Sequence, residues 1–212
     1  VCGPSIDIAS SVADVRIDAV TICEAQARSA AALIREAGLS GRIHVQICDF
    51  HRLPFKPQSF DVVLFFESFG YSYDLRRVLE ESFRVTRPGG TLYIKEVFRR
   101  GHPLSVKEHR ELAEFNRTFA FDAPVLSEAA AAAQAAGYRD VRQVELTPWM
   151  STAHNIDAMF EVVDGRPQPT DFGERHFRVY ECLPVFFAEV KATRPESGER
   201  ARTGCLGSTR AD

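Results

Sequence analysis

The sequence lacks several features, and each absence removes a class of answer. No run of about 18 apolar residues occurs, so no membrane-spanning helix is expected. Cysteines stand at 2, 23, 48, 182 and 205, an odd number with no Cys-x-x-Cys pair. That disfavours both a zinc site and a disulfide scaffold. Cys23 and Cys48 fall in apolar segments and are expected as buried free thiols in a reducing compartment. An excess of either sign of charge is lacking: 26 Lys and Arg stand against 29 Asp and Glu, a formal net charge of −3, and the basic stretches are as short as Arg99-Arg100. Nucleic acid and anionic membrane surfaces are therefore not expected partners. His51, His102, His109 and His176 lack metal-ligand spacing, and no Ser/His/Asp arrangement can be argued. There is no internal repeat and no signal peptide, although a chain starting at Val1 makes the missing leader weak evidence.

What is present suits one domain of ordinary size. The 212 residues are 45% hydrophobic. Residues 15–22, rich in β-branched side chains, read as a strand. Thr21 and Glu24 have the spacing of a capping box for a helix over 24–37, with Gly38 as its stop. Residues 43–48 alternate as a second strand, and the prolines of the next loop keep it out of a helix. Phe60-Asp-Val-Val-Leu-Phe-Phe66 is a nearly continuous apolar run, suited to a strand buried on both faces. A helix over 73–86, a turn at Arg87-Pro88-Gly89-Gly90 and a strand over 91–98 follow. This alternation implies a doubly wound, mostly parallel α/β sheet. Further on, 105–119 reads as a helix, and a second helix starts at Asp122-Ala-Pro124 and runs through the alanine tract to Gly137. Residues 139–147 read as a strand, 151–164 as a helix, 165–176 as a loop and 185–191 as a late antiparallel strand. The polar composition from Arg194 onward reads as a disordered tail.

Four features align along one edge of such a sheet. Cys2-Gly3-Pro4 sits where a strand would hand over to a helix, and a glycine there admits close approach of a ligand. Thr21, with Glu24 and Gln26, ends the next strand, where dinucleotide folds bind ribose; helix capping is the plainer alternative. Asp49 ends the third strand. A carboxylate there can accept from an adenine amino group while Phe50 offers a backbone N–H and a ring; a surface turn is the plainer alternative. Finally, Phe60-Asp-Val-Val and Arg87-Pro-Gly-Gly-Thr-Leu are separated by one helix, which makes them adjacent strands.

The runs DFHRLPFKPQSFDVVLFFES and LEESFRVTRPGGTLYIKE resemble class I S-adenosylmethionine-dependent methyltransferases over roughly residues 1–100. The stretch VTICEAQ is similar to the branch with cyclopropane-fatty-acid synthases and with sterol, tocopherol and geranyl diphosphate C-methyltransferases. In that branch Thr often replaces the ribose-binding acid, with Gln five residues on. The resemblance implies a Rossmann-like methyltransferase domain over 1–193, with cap helices near 101–122 and 150–176, a tail over 194–212 and a first strand largely missing. It implies S-adenosylmethionine bound by Cys2, Gly3, Thr21, Ile22, Gln26, Asp49, Phe50, Phe65 and Phe66. It also places Glu67 at the reaction centre.

Methyl transfer from a sulfonium is an in-line displacement, so the protein chiefly positions and desolvates. Glu67 is the candidate base, and beside Phe65, Phe66 and Phe69 it is expected in an apolar setting. Tyr71, Tyr73, Trp149 and His154 are candidates for the acceptor pocket. The expected substrate is a small apolar or aromatic molecule of secondary metabolism, methylated at carbon rather than oxygen. A cytoplasmic enzyme, with room for a homodimer, is expected. Two alternatives remain: a methyltransferase-like protein with impaired catalysis, motivated by the missing strand, and an NAD(P)-dependent reductase. The absence of an acid at position 21 argues against the reductase. With a central strand missing, the chain alone is expected to fold poorly or to bind cofactor weakly.

Overall fold

The computed structural model describes residues 2–101, 103–146, 160–163, 166–169 and 184–197. Helix α1 (Gly3–Ser11) opens with proline in its first turn, where a missing N–H costs nothing. Strand β1 (Ile17–Thr21), helix α2 (Glu24–Glu36) and strand β2 (Ile43–Ile47) follow, and β1 pairs in parallel with β2. Ala9, Ala30, Ile34, Leu39 and Ile43 form a small core beneath the two helices.

The larger body is built on β3 (Phe60–Phe66), α3 (Leu75–Val85) and β4 (Thr86–Arg99). It continues through α4 (Val106–Phe119), α5 (Leu126–Ala136), β5 (Arg139–Glu145) and β8 (Val185–Thr193). Its sheet runs in the order β3-β4-β8-β5, parallel at β3–β4 and antiparallel on both sides of β8. Alternation along the strands divides the core. Leu92, Ile94 and Phe98 of β4 and Phe186, Ala188 and Val190 of β8 face one way, packing with Val78 and Leu79 of α3 and Ala129 and Ala133 of α5. Val97, Val185 and Phe187 face the other way and pack with Leu112 and Phe115 of α4. Helices thus cover both faces, as expected of a doubly wound α/β fold with a late antiparallel strand.

Among the described residues β1 and β3 exchange no ladder bonds, and each leaves one edge unpaired. The β1–β2 pair reaches the larger sheet through the loop after β2, which docks on α3. Glu81 Oε1 accepts from Leu53 N at 2.7 Å, and Arg84 donates to Leu53 O at 3.0 Å and Phe55 O at 2.8 Å.

Several expectations are corrected. The capping box at Thr21–Glu24 does not form, because α2 starts at Glu24 and puts Thr21 two residues ahead of the N-cap, Cys23. A complete box forms instead at Ser105–Glu108, on α4. Cys23 is exposed and Cys48 half-buried, so the two thiols are not core groups. The Arg87–Gly90 turn lies within β4, which starts at Thr86; Gly89 takes φ 74° and the register with β3 shifts there. Helix α5 starts at Leu126, after the proline.

The helix expected over 151–164 and the loop over 165–176 are overturned where the chain is described. Residues 160–163 form β6 (Phe160–Val163), paired antiparallel with β7 (Arg166–Pro169). The intervening sequence is Asp164-Gly165, a dipeptide that two-residue hairpins favour. The rest of the cap expected over 150–176 lies outside the described residues. Order does not stop at 193 either. Arg194 pairs its backbone with Gly90 and donates through its guanidinium to Phe83 O at 2.5 Å and Thr86 O at 2.6 Å. Residues 198–212 lie outside the described part.

Candidate functional site

The parallel strands end on one side, and most of the expected site residues lie there. Thr21 ends β1; its hydroxyl donates to Gln26 Oε1 at 2.8 Å and accepts from Cys23 N at 3.1 Å. Gln26, in the first turn of α2, is thereby turned back over the strand end. Ile22, next in the chain, is 77% exposed, unusual for an isoleucine beside a sheet. Cys2 caps α1 with φ 58°, and a side chain built at Gly3 would meet nothing within 4 Å. The Gly3 backbone is therefore open to close approach on its Cβ side.

Asp49 and Phe50 follow β2. Asp49 Oδ1 accepts from His51 N at 2.9 Å and lies 2.6 Å from His51 Nδ1; Oδ2 accepts from Tyr73 hydroxyl at 3.2 Å. The backbone and ring bonds from His51 hold the Asp49 carboxyl below its usual range, against a smaller opposing effect of burial. It stays an ionised acceptor at neutral pH, with its side chain 45% exposed.

Phe65 requires correction. Its ring is 6% exposed and packs edge-on against Phe50 and Phe69, so it supports the site from the core and does not face a ligand. Phe66 is half-buried on the opposite side of β3, near Tyr93.

Glu67 follows β3 with φ 51°, a left-handed conformation uncommon for a residue other than glycine. It is held there by Glu67 N donating to Lys95 O at 2.8 Å and by a Lys95 Nζ–Glu67 Oε1 ion pair of 2.6 Å. Its side chain is 52% exposed. The apolar setting expected for Glu67 is therefore absent, because the neighbouring rings turn away along the strand.

The buried carboxylate is Glu96, the next residue on β4, which faces inward with 0% exposure. Its Oε2 accepts from Gly70 N at 3.1 Å and its Oε1 from Val97 N at 2.8 Å. Burial pushes the Glu96 carboxyl up to about 7, against the pull of its backbone donors. Lys95, through its ammonium and its carbonyl, and Glu96, through its carboxylate, thus hold the same turn from opposite faces of β4. Gly70 is required there: a Cβ would overlap the Phe121 ring, and Gly70 O accepts from Asp122 N at 3.0 Å. Tyr71 stands edge-on to Phe121 and is 53% exposed; Tyr73 is 77% exposed and stacks on His51, centroids 3.6 Å apart. Trp149 and His154 lie outside the described residues. Sequence reading missed His51, Ser72, Glu81, Arg84, Lys95 and Glu96. Only Glu81 and Arg84 left a signal: an acid and a base three apart beside the apolar stripe of α3.

Comparison with known proteins follows this geometry. Residues 2–94 match the family described as "Methyltransferase domain". That stretch is similar to a methyltransferase domain. A 27-O-demethylrifamycin SV methyltransferase of Amycolatopsis mediterranei (strain S699) is 34% identical over 94 residues, covering 43% of this chain and 34% of that protein. A 24-methylenesterol C-methyltransferase 2 of Oryza sativa subsp. japonica is 40% identical over 75 residues, 35% of this chain and 20% of that protein. The chain thus aligns with no more than about a third of either relative's length. In structure, the methyltransferase fold extends further. Geranyl diphosphate C-methyltransferase from Streptomyces coelicolor A3(2) is similar with a TM-score of 0.71 at 18% identity, over 91% of this chain and 68% of that one. That structure is a complex with Mg2+, geranyl diphosphate and S-adenosyl-L-homocysteine. No helix among the described residues is long and apolar enough to cross a membrane.

Proposed function

We propose that this methyltransferase domain transfers a methyl group from S-adenosylmethionine to a small apolar or aromatic metabolite, at carbon in preference to oxygen. One observation carries the reading: the half-exposed carboxylate of Asp49 stands at the end of β2, adjacent to the strand end that holds the Thr21–Gln26 pair. This donor set fits the cofactor. Asp49 supplies an acceptor for an adenine amino group, Thr21 and Gln26 supply partners for ribose hydroxyls, and Ile22 with Phe50 offers apolar surface to a base. The open Cβ side of Gly3 leaves room for the amino-acid portion.

The cofactor, when bound, supplies an electrophilic methyl group. The chain's own residues bind, orient and exclude water. Glu67 is proposed to take a proton at Oε2, which has no other partner among the described residues; Lys95 on Oε1 fixes the direction of the carboxylate. Tyr71 and Tyr73 offer exposed rings to an apolar acceptor. The 24-methylenesterol relative, named as a C-methyltransferase, supports carbon as the acceptor, and the 27-O-demethylrifamycin SV relative, named for an oxygen site, is the competing precedent.

The test is thermal-shift and calorimetric titration of the chain with S-adenosylhomocysteine and with NADP+. Stabilisation by S-adenosylhomocysteine is expected; stabilisation by NADP+ alone would refute the reading. A second reading, cofactor binding without catalysis, is favoured by the unpaired edges of β1 and β3. It predicts binding of S-adenosylhomocysteine with no turnover of any candidate acceptor.

A further inference from the structure

The expected cofactor ligand, Asp49, does not act alone. His51 is 4% exposed, and every polar atom it has is engaged. Its N and Nδ1 meet Asp49 Oδ1, its Nε2 lies 2.9 Å from Ser72 Oγ, and its O accepts from Arg77 Nε at 3.2 Å. Ser72 Oγ also accepts from Asp74 N at 3.1 Å. One of these directions follows from charge. An ionised carboxylate only accepts, so the hydrogen at the 2.6 Å contact belongs to Nδ1. Nε2 and the Ser72 hydroxyl share the 2.9 Å contact, so Ser72 holds the far side of the ring. The relay runs from Asp74 N–H through Ser72 and His51 to Asp49, with no member left unsatisfied.

Its order, serine, histidine, aspartate, is also that of a hydrolytic triad, but its exposure is reversed. In a triad the serine meets substrate and the carboxylate is buried. Here the carboxylate end is 45% exposed and Ser72 is half-buried. The relay delivers an oriented carboxylate to solvent.

Oδ1 of Asp49 is occupied twice by His51, from the backbone and from the ring. Oδ2 has one weaker partner, the hydroxyl of the largely exposed Tyr73 at 3.2 Å. We propose that His51, held on its far side by Ser72, is a positioning residue that aims Asp49 Oδ2 at the adenine amino group, and that the Tyr73 hydroxyl holds this oxygen until the base displaces it. The proposal rests on the cofactor reading above. It adds the residue that sets selectivity for a 6-amino purine. A free carboxylate at a strand end rotates about its side-chain torsion and spends most orientations away from a ligand; a ring fixed behind it removes that freedom.

The test is calorimetry of the full chain with two ligands that differ only at the purine 6-position: S-adenosylhomocysteine and S-inosylhomocysteine, which replaces the amino donor with a carbonyl. Wild type is expected to prefer the adenosyl ligand tenfold or more. His51→Leu is expected to cut that preference below threefold, while His51→Asn, whose amide can replace the Nδ1–H donor, recovers part of it. Ser72→Ala, at a half-buried position, is expected to weaken the preference and serves if His51→Leu fails to fold. Tyr73→Phe is expected to tighten S-adenosylhomocysteine two- to threefold. A purely structural role for His51 would weaken both ligands alike and leave their ratio unchanged, and that result overturns the proposal. Wild type that binds neither ligand, or Asp49→Ala that binds like wild type, overturns the cofactor reading itself.

Discussion

Three carboxylates near the sheet edge differ in what surrounds them, and that difference sets what each can do. Asp49 is half-exposed and held by donors, so it stays charged and available to a ligand. Glu67 is paired with a lysine at the surface. Glu96 is buried with only backbone donors, and its carboxyl lies at about 7 in the fold against 4.5 as a free side chain. The sign of its contribution follows. A folded-state value raised above the unfolded one gives stability that is fully present below about 4.5, declines as pH rises, and is lost once pH passes about 7. The loss amounts to about 3 kcal/mol. Glu96→Gln should remove that dependence. Its stability relative to wild type should therefore rise by that order between pH 5 and 8 in urea denaturation, and a pH-independent difference would contradict the assignment. Glu67→Gln should lower methyl transfer at least tenfold while leaving S-adenosylhomocysteine affinity within about twofold, provided that Glu67 serves as base and not as cofactor ligand. Of these three, Asp49 and Glu67 were legible in the sequence from their places after apolar strands. Glu96 was not, because a glutamate inside a strand reads as the polar member of an alternation. Only the register of β4 shows that 96 shares the inward face with Leu92, Ile94 and Phe98.

Elements are positioned here by a few polar anchors. The loop after β2 carries Asp49 and lies over α3 through Glu81 and Arg84, whose ion pair of 2.7 Å is joined to three backbone groups of the loop. Glu81 is 7% exposed, and the Arg84 bond holds its carboxyl below the usual range. Arg84→Ala leaves Glu81 and two carbonyls without this partner, so a loss of about 2–3 kcal/mol is expected from equilibrium unfolding. S-adenosylhomocysteine binding should weaken in the same variant although Arg84 touches no expected ligand residue. Equal affinity would show that the loop is held by other means. Strand and helix types were read correctly from the first strand through the alanine-rich helix because their apolar periods are clean. The β6–β7 pair was not legible because Phe160-Glu-Val-Val falls within the helical pattern over 151–164, which takes in Asp164 and leaves Gly165 to open the loop over 165–176.

At the scale of the whole molecule, two features decide how the parts cohere. The first is the C-terminal end of β8. Arg194 reaches back to the end of α3, donating to Phe83 O and Thr86 O and stacking over the Phe83 ring at 4.3 Å. Composition alone had assigned it to a tail, since an arginine followed by Pro, Glu and Ser carries no apolar signal. Its role appears only when β8 is placed beside β4. Arg194→Ala should cost about 2 kcal/mol by urea denaturation, whereas a tail residue would cost nothing measurable. The second is the boundary between β1 and β3, which no ladder bond crosses among the described residues. The site residues fall on both sides of it: Cys2, Thr21, Ile22, Gln26 and Asp49 with the smaller sheet, Glu67 and Tyr71 with the larger. The loop after β2, through the Asp49–Tyr73 and His51–Ser72 contacts, therefore has to hold the two halves of the site together. The most direct measurement is calorimetric titration of the chain with S-adenosylhomocysteine, wild type beside Asp49→Ala. Saturable binding by wild type, weakened at least tenfold in the variant, is predicted; no binding by a folded wild-type chain, or equal binding by both proteins, would contradict the account.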